Sequence, residues 1–278
     1  MYKMICIDID GTLIRPDHTL SVETIKAIRR ARDKGVMIVL STGRMYRSAK
    51  LYSDELELDF PIISANGSYV KDKATNEVYY EKNLSKNDMN FIMKILDKYG
   101  VKINFYNKDT MYISEHRDYV SRYEALSKTL PPEKRIEIKY ITKEYPMNAF
   151  IEDFGGYIQK GIVFPHEGII SAIRNEVAEN KLLKVVSSGD DNIEFTSHLA
   201  DKGLGVLALA KAKNIKPSEI ICIGDSENDL SMLQVAGLPV AMGNAIPLIK
   251  DAAAYITDTN VNDGVAKMIN KFIFGEVE

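Results

Sequence analysis

Short apolar, β-branched runs alternate with amphipathic helical stretches at both ends of this chain, and the middle follows a different rhythm. Near the N-terminus, Lys3 to Ile9 reads as a strand, Ser21 to Lys34 as a helix, Val36 to Ser41 as a strand, Met45 to Leu56 as a helix and Pro61 to Ser64 as a third strand. The alternation returns with Lys202 to Lys213 (helix), Glu219 to Gly224 (strand), Glu227 to Ala236 (helix), Leu238 to Met242 (strand) and Val261 to Phe274 (helix). Strand and helix in turn imply a parallel α/β sheet. Ser21 suits an N-cap and Gly35 a helix stop, which fixes the first boundaries.

Residues from about 84 to 188 mix strand-like Lys102 to Tyr106, Met111 to Ser114 and Gly161 to Phe164 with helical Lys86 to Tyr99, Tyr119 to Leu130 and Glu167 to Glu179. An α+β insert (84–188) is therefore expected inside one split core (1–83 and 189–278), with linkers near Glu81 to Leu84 and Ser187 to Asp191. At 278 residues and 45% hydrophobic content the chain has material for two such cores.

Composition narrows the partners. Thirty-six basic and 39 acidic residues leave a formal charge of -3 with both signs scattered, so no basic field exists for nucleic acid or an anionic membrane. Asp8 and Asp10 stand where a secretory signal needs its apolar stretch, and no later apolar run approaches the ~18 residues of a membrane span. A cytoplasmic protein acting on a small molecule is expected; oligomeric state is left open. Cys6 and Cys222 lie in β-branched runs and read as buried small hydrophobes, while the four histidines show no metal-binding spacing.

Four short pieces carry candidate chemistry. In Asp8-Ile9-Asp10-Gly11-Thr12-Leu13 a strand runs straight into two carboxylates and a glycine turn. Two like charges this close resist joint ionisation unless a cation or donors compensate, and the carboxyl ends of parallel strands are where such sheets bind ligands. Ser41-Thr42-Gly43-Arg44 sets a hydroxyl and backbone N–H groups between a strand and a helix, an arrangement suited to a phosphate oxygen. Lys202 offers a single ammonium that could neutralise a transferring phosphoryl group. Gly224-Asp225-Ser226-Glu227-Asn228-Asp229 follows a strand, and a helix beginning there would put Asp225 and Asp229 on one face with Asn228 beside them. Hard oxygen ligands so grouped suit magnesium.

In this order the four pieces resemble the signature set of the haloacid dehalogenase superfamily, specifically its Cof-type phosphatases with a large cap inserted after the third strand. The resemblance implies a Rossmann-like, doubly wound parallel core with strand order 5-4-1-2-3 and an α/β cap that closes over the site and chooses the substrate. It implies Mg2+ as cofactor, bound by Asp8, Asp225 and the backbone carbonyl of Asp10, with Ser226 near a metal-bound water. Asp8 becomes the nucleophile and Asp10 the general acid and base. The phosphate is held by the backbone near Ile9, by Thr42 and Gly43, by Lys202 and by Asn228, while Asp229 orients its neighbours. Arg44, Asn66 and His198 are candidate rim residues. The reaction expected is hydrolysis of a small phosphorylated metabolite, such as a sugar, nucleotide or cofactor phosphate.

Two other readings remain open in the sequence. A sugar phosphomutase would keep the aspartyl phosphate but usually carries a longer, glycine-doubled segment before its Asn-Asp pair, whereas Asp225 to Asp229 is compact. A non-catalytic phosphometabolite binder would have no need of Asp10 as an acid.

Overall fold

Met4–Ile7 forms the first strand, β1, and every one of its four residues is buried. The computed structural model describes residues 1–179, 181–189 and 191–276. Asn180, Asp190, Val277 and Glu278 lie outside them, and Asp190 belongs to the second expected linker. After β1 come α1 (Val22–Asp33), β2 (Met37–Ser41), α2 (Tyr46–Glu55), β3 (Ile62–Ser64), β4 (Tyr69–Lys71) and β5 (Val78–Glu81). Then follow α3 (Lys86–Tyr99), β6 (Ile103–Tyr106), β7 (Thr110–Ile113), α4 (Asp118–Thr129), β8 (Glu137–Tyr140), α5 (Met147–Phe154), β9 (Lys160–Val163), α6 (Glu167–Ala178), β10 (Leu183–Val186) and β11 (Ile193–Ser197). The chain closes with α7 (Lys202–Ala212), β12 (Ile220–Gly224), α8 (Leu230–Val235), β13 (Leu238–Ala241), α9 (Pro247–Ala252), β14 (Tyr255–Ile256) and α10 (Gly264–Ile269).

The chain divides into two compact units. One comprises Met1–Arg44, Ala49–Glu81 and Asp201–Glu278, the other Met45–Ser48 and Lys82–Ala200. The first is built on an eight-stranded sheet of order β14-β13-β12-β1-β2-β3-β4-β5, parallel from β14 to β3 and antiparallel beyond. Its middle, β13-β12-β1-β2-β3, has the 5-4-1-2-3 order of a doubly wound fold. The chain winds one way from β1 through β3 and the other way from β12 through β14, so the order reverses between β1 and β12. A crevice at the carboxyl ends of strands forms at such a reversal. Cys6 pairs in register with Cys222 there, and both are free and buried.

Local chemistry explains the first unit's boundaries. The Ser21 hydroxyl accepts the Thr24 N–H at 3.0 Å and starts α1, and Gly35 turns the chain out of it with φ of +90°. The closing helix begins at Gly264, not Val261, because Asp263 holds a left-handed conformation (φ 61°) after a 3₁₀ turn at Asn260–Asn262. The helix expected from Glu227 to Ala236 opens as a 3₁₀ turn at Glu227–Asp229, entered through a capping box in which Asp229 accepts the Ser226 N–H, and continues as α8.

The second unit carries a six-stranded sheet of order β10-β11-β9-β6-β7-β8. Its period-two alternation sends Ile103, Phe105, Tyr112, Val163, Ile193 and Phe195 into one apolar cluster with residues of α3, α5 and α6. Tyr106, Met111, Ile113 and Ile162 face the other way, with Val120 of α4. Helix α3 spans the expected residues because Ser85 and Asp88 form a capping box and Gly100 ends it left-handed. The sequence set the return to the first unit near residue 189, but β11 still pairs with β9 and β10, so the return comes at Asp201. Lys160 and Glu194 of this sheet form a buried ion pair at 2.9 Å.

Candidate active site

The site lies in the first unit, at the carboxyl ends of β1 and β12. Sheet pairing carries through to Asp8, whose N–H donates to the Ile223 carbonyl at 3.1 Å. The chain then curls through a tight turn at Ile9–Leu13, in which Leu13 N–H reaches back to the Asp8 carbonyl and Gly11 takes φ of +77°. Glycine is required here on two counts. The backbone is left-handed, and a Cβ would sit 2.4 Å from a carboxylate oxygen of Asp225. The turn thus brings the N-terminal motif against a residue more than 200 positions later.

Asp225 is held from both sides. Thr12 Oγ1 donates to its Oδ1 at 2.6 Å, and Ser226 Oγ donates to its Oδ2 at 2.9 Å. Asp229 is anchored more firmly still: its Oδ2 accepts the N–H groups of Asp225 (2.9 Å) and Ser226 (3.0 Å), while its Oδ1 accepts Lys202 Nζ at 2.6 Å. The same Lys202 nitrogen donates to Asp8 Oδ1 at 2.6 Å. Lys202 is fully buried at the first turn of α7, whose N-cap Asp201 accepts the Leu204 N–H. Asp8 (4% exposed), Asp225 (8%) and Asp229 (0%) are buried with it.

Electrostatics follow from this crowding. Burial pushes the Asp8 carboxyl well above the usual carboxylate range, opposed by Lys202 and reinforced by Asp229, Asp225 and Asp10. Burial, then Asp229, lifts Asp225 to about 6. Burial works against the charge on Lys202, but Asp229 and Asp8 outweigh it and raise its pKa. The cluster therefore holds more carboxylate than its lysine can neutralise. Ligand oxygens of Asp8, Asp225 and Asp229 lie within 4.8 Å of one another, a hard, anionic donor set that fits a divalent cation. Asp229 already compensates a buried ammonium and two backbone N–H groups, whereas the donors on Asp225 are neutral hydroxyls, so Asp8 and Asp225 are the better candidates to hold it.

Asp10 stands apart from this buried group. Its side chain is 48% exposed and is gripped by Arg44, whose Nε donates to Oδ2 at 2.7 Å and Nη2 to Oδ1 at 2.6 Å. Burial by neighbouring protein opposes ionisation here too, but the Arg44 fork outweighs it and lowers the Asp10 pKa. Arg44, expected only at the rim, is thus Asp10's direct partner. Thr42 follows β2, donating its N–H to Ile63 O at 2.9 Å and accepting Arg44 N–H on its Oγ1 at 3.1 Å. Asn228 is buried and donates Nδ2 to Asn66 Oδ1 at 3.1 Å. His198 lies in the second unit, exposed, with Nδ1 at 3.2 Å from the Leu182 carbonyl.

Sequence reasoning passed over Thr12, although it stands within the first motif. A hydroxyl following a glycine turn beside two aspartates is a small signal, and its partner becomes visible only once β1 and β12 are neighbours.

Comparison with known proteins agrees with this geometry. The haloacid dehalogenase-like hydrolase profile matches residues 5–269. The chain is 31% identical to the 5-amino-6-(5-phospho-D-ribitylamino)uracil phosphatase YcsE of Bacillus subtilis, over 98% of this chain and 96% of that one. It is 32% identical to the putative phosphatase YxeH of the same organism, over 99% and 100% of the two chains. The solved structure of a haloacid dehalogenase-like hydrolase from B. subtilis superposes with a TM-score of 0.83 at 28% identity, covering 97% of this chain and 99% of that one. With motifs, strand order and near-complete coverage in agreement, the chain belongs to the haloacid dehalogenase-like hydrolase family and is a hydrolase of the phosphatase type.

Proposed function

We propose that this enzyme is a Mg2+-dependent phosphatase that hydrolyses small phosphate monoesters through an aspartyl phosphate on Asp8. The observation that carries the reading is the buried Asp8 carboxylate, fixed at 2.6 Å by Lys202 beside Asp225. An anion attacks a phosphate dianion only where their repulsion is cancelled. Lys202 supplies part of that cancellation, and a cation held by Asp8, Asp225 and the Asp10 carbonyl supplies the rest when bound.

Asp8 attacks phosphorus and the ester P–O bond breaks, with the departing alkoxide taking its proton from Asp10. A water then gives its proton to Asp10 and displaces Asp8 from phosphorus, which restores the carboxylate and releases phosphate. Asp10 has to exchange its Arg44 partner for the proton it donates, and a phosphate oxygen offers Arg44 an alternative anion. Thr42, the Gly43 and Ile9 backbone, Lys202 and Asn228 hold the transferring group, with Asp229 aligning Lys202 and the Asp225 backbone. Ser226 steadies Asp225.

The substrate class is a sugar, nucleotide or cofactor phosphate in the cytoplasm, a reading supported by the ribitylaminouracil phosphate in the name of one relative. Choice among such esters is assigned to residues of the second unit, since every residue given a chemical role lies in the first. The test is hydrolysis of an aryl phosphate and a panel of metabolite monoesters with Mg2+ or with excess chelator, together with acid quenching to trap phosphate on the Asp8 peptide. Turnover that needs Mg2+, a trapped phosphoprotein and an inert but folded Asp8→Asn variant are expected. Full activity in chelator, or substantial turnover by Asp8→Asn, refutes the assignment.

A further inference from the structure

Beside the site, three consecutive residues hold left-handed backbone: Ala65 (φ 49°), Asn66 (φ 53°) and Gly67 (φ 84°). Asparagine and glycine tolerate that region and alanine does not, so the turn is kept by what surrounds it. Three pieces of the site meet it. Ala65 N–H donates to the Arg44 carbonyl at 2.8 Å and Asn66 N–H to the Thr42 carbonyl at 3.0 Å, so the turn grips the Thr42–Arg44 loop on both sides of Gly43. Gly67 packs on the start of α7, where a Cβ would fall 2.0 Å from the Asp201 carbonyl oxygen. The buried Asn66 side chain accepts Nδ2 of Asn228 at 3.1 Å.

That last contact has a chemical consequence. A carboxamide presents two N–H donors on one edge and a carbonyl acceptor on the other, and only its hydrogen bonds decide which edge faces a ligand. An acceptor that takes one amide hydrogen of Asn228 fixes the amide plane and leaves the second hydrogen as a donor. Without it the amide can flip and turn its oxygen toward an incoming phosphate dianion. We infer that Asn66 is a positioning residue that sets the phosphate affinity of the site by orienting the Asn228 amide, through a left-handed turn that also ties down the Thr42–Arg44 loop. The inference rests on the reading of Asn228 as a phosphate ligand.

Asn66→Gly tests it, because glycine keeps the left-handed backbone while removing the side chain that carries the acceptor. The variant is compared with Asn228→Ala and the double variant in three measurements: thermal midpoint, the inhibition constant of inorganic phosphate, and kcat and KM on an aryl phosphate. One hydrogen bond of this kind corresponds to about 2- to 13-fold in binding. Asn66→Gly is expected to raise KM and the phosphate inhibition constant together by about that factor, with kcat changed less than about threefold; the midpoint falls by the cost of one buried hydrogen bond, so the split between KM and kcat carries the test. Added to Asn228→Ala, it should weaken phosphate binding no further, since its route is already gone. Unchanged phosphate binding in Asn66→Gly, a loss confined to kcat, or additive losses in the double variant overturn the inference while leaving Asn228 a ligand. If Asn228→Ala alone binds phosphate as the parent does, the assignment of Asn228 fails first and the inference falls with it.

Discussion

Asp225→Asn should make the metal-free protein more stable at neutral pH while destroying its use of Mg2+. Thr12 can still donate to the amide oxygen, and the Ser226 hydroxyl can rotate to accept from the new nitrogen, so the contacts at 2.6 and 2.9 Å survive and the charge alone disappears. The carboxyl is lifted from 3.8 to about 6 by burial and by Asp229. At 1.36 kcal/mol for each pH unit, that lift corresponds to roughly 3 kcal/mol of strain in the ionised, metal-free state.

The sign follows from linkage. A folded carboxyl that holds its proton more tightly than the unfolded chain contributes stability that is complete below the unfolded value of 3.8 and lost as pH rises through about 6. The assay is thermal unfolding in excess chelator from pH 4 to 8. Near pH 4 parent and variant should melt together; by pH 7.5 the variant should melt higher by about 6–12 °C, taking 2–4 °C per kcal/mol for a unit of this size. Adding Mg2+ should raise the parent's midpoint and leave the variant's nearly unmoved. A pH-independent gap, or a parent as stable as the variant at pH 7.5 without metal, refutes the argument that Asp225 is an anion awaiting a cation.

Lys202→Met should abolish turnover and destabilise the first unit by about 3–5 kcal/mol at neutral pH, read by denaturant unfolding, because it strands Asp8 and Asp229 as buried unpaired carboxylates. Thr12→Val removes a 2.6 Å hydrogen bond to a buried carboxylate and should cost about 1.5–3 kcal/mol in the same assay, while raising the Mg2+ concentration for half-maximal rate at nearly unchanged KM. Replacing residues 82–200 by the corresponding segment of a relative with another preference, with folding checked by circular dichroism, should reorder kcat/KM among large esters and leave a small aryl phosphate within about threefold; an unchanged ranking would remove selectivity from that segment.

How far the fold was legible depended on how many residues each signal spanned. Strands β1, β2 and β12 are buried runs that end in polar clusters, and α3 carries apolar periodicity over 14 residues with a cap at each end, so period and punctuation agree. The three-residue β4 and the short β5 give no period to read, and the antiparallel edge they add to the sheet was missed. Strand β11 was missed for a related reason: Ile193 and Phe195 alternate with Glu194 and Thr196 over too few residues to reveal that the insert's sheet continues past 189.

The site divides along a different line. Its charged groups were legible because their chemistry is costly anywhere but a functional site: adjacent aspartates at a strand end, and more aspartates beyond a second strand. The geometry that makes them usable was not, because it resides in contacts between distant segments. Thr12 meets Asp225 across 213 positions and Asn228 meets Asn66 across 162, and both pairings exist only because β12 lies beside β1 and β3 returns next to β2. One local expectation at the site, a helix placing Asp225 and Asp229 on one face, is modified for the same reason: the two carboxylates do meet, but Asp225 stays outside the turn that Ser226 caps. Asp229 accepts the backbone N–H groups of Asp225 and Ser226 and the Lys202 ammonium at once, so it closes the N-terminus of the turn, whose first N–H groups have no partner within a helix, while holding the lysine. Asp225, just before the Ser226 cap, lies beside Asp8 with Thr12 and Ser226 to orient it, so two aspartates from opposite ends of the chain present their oxygens together, as the proposed cation would need.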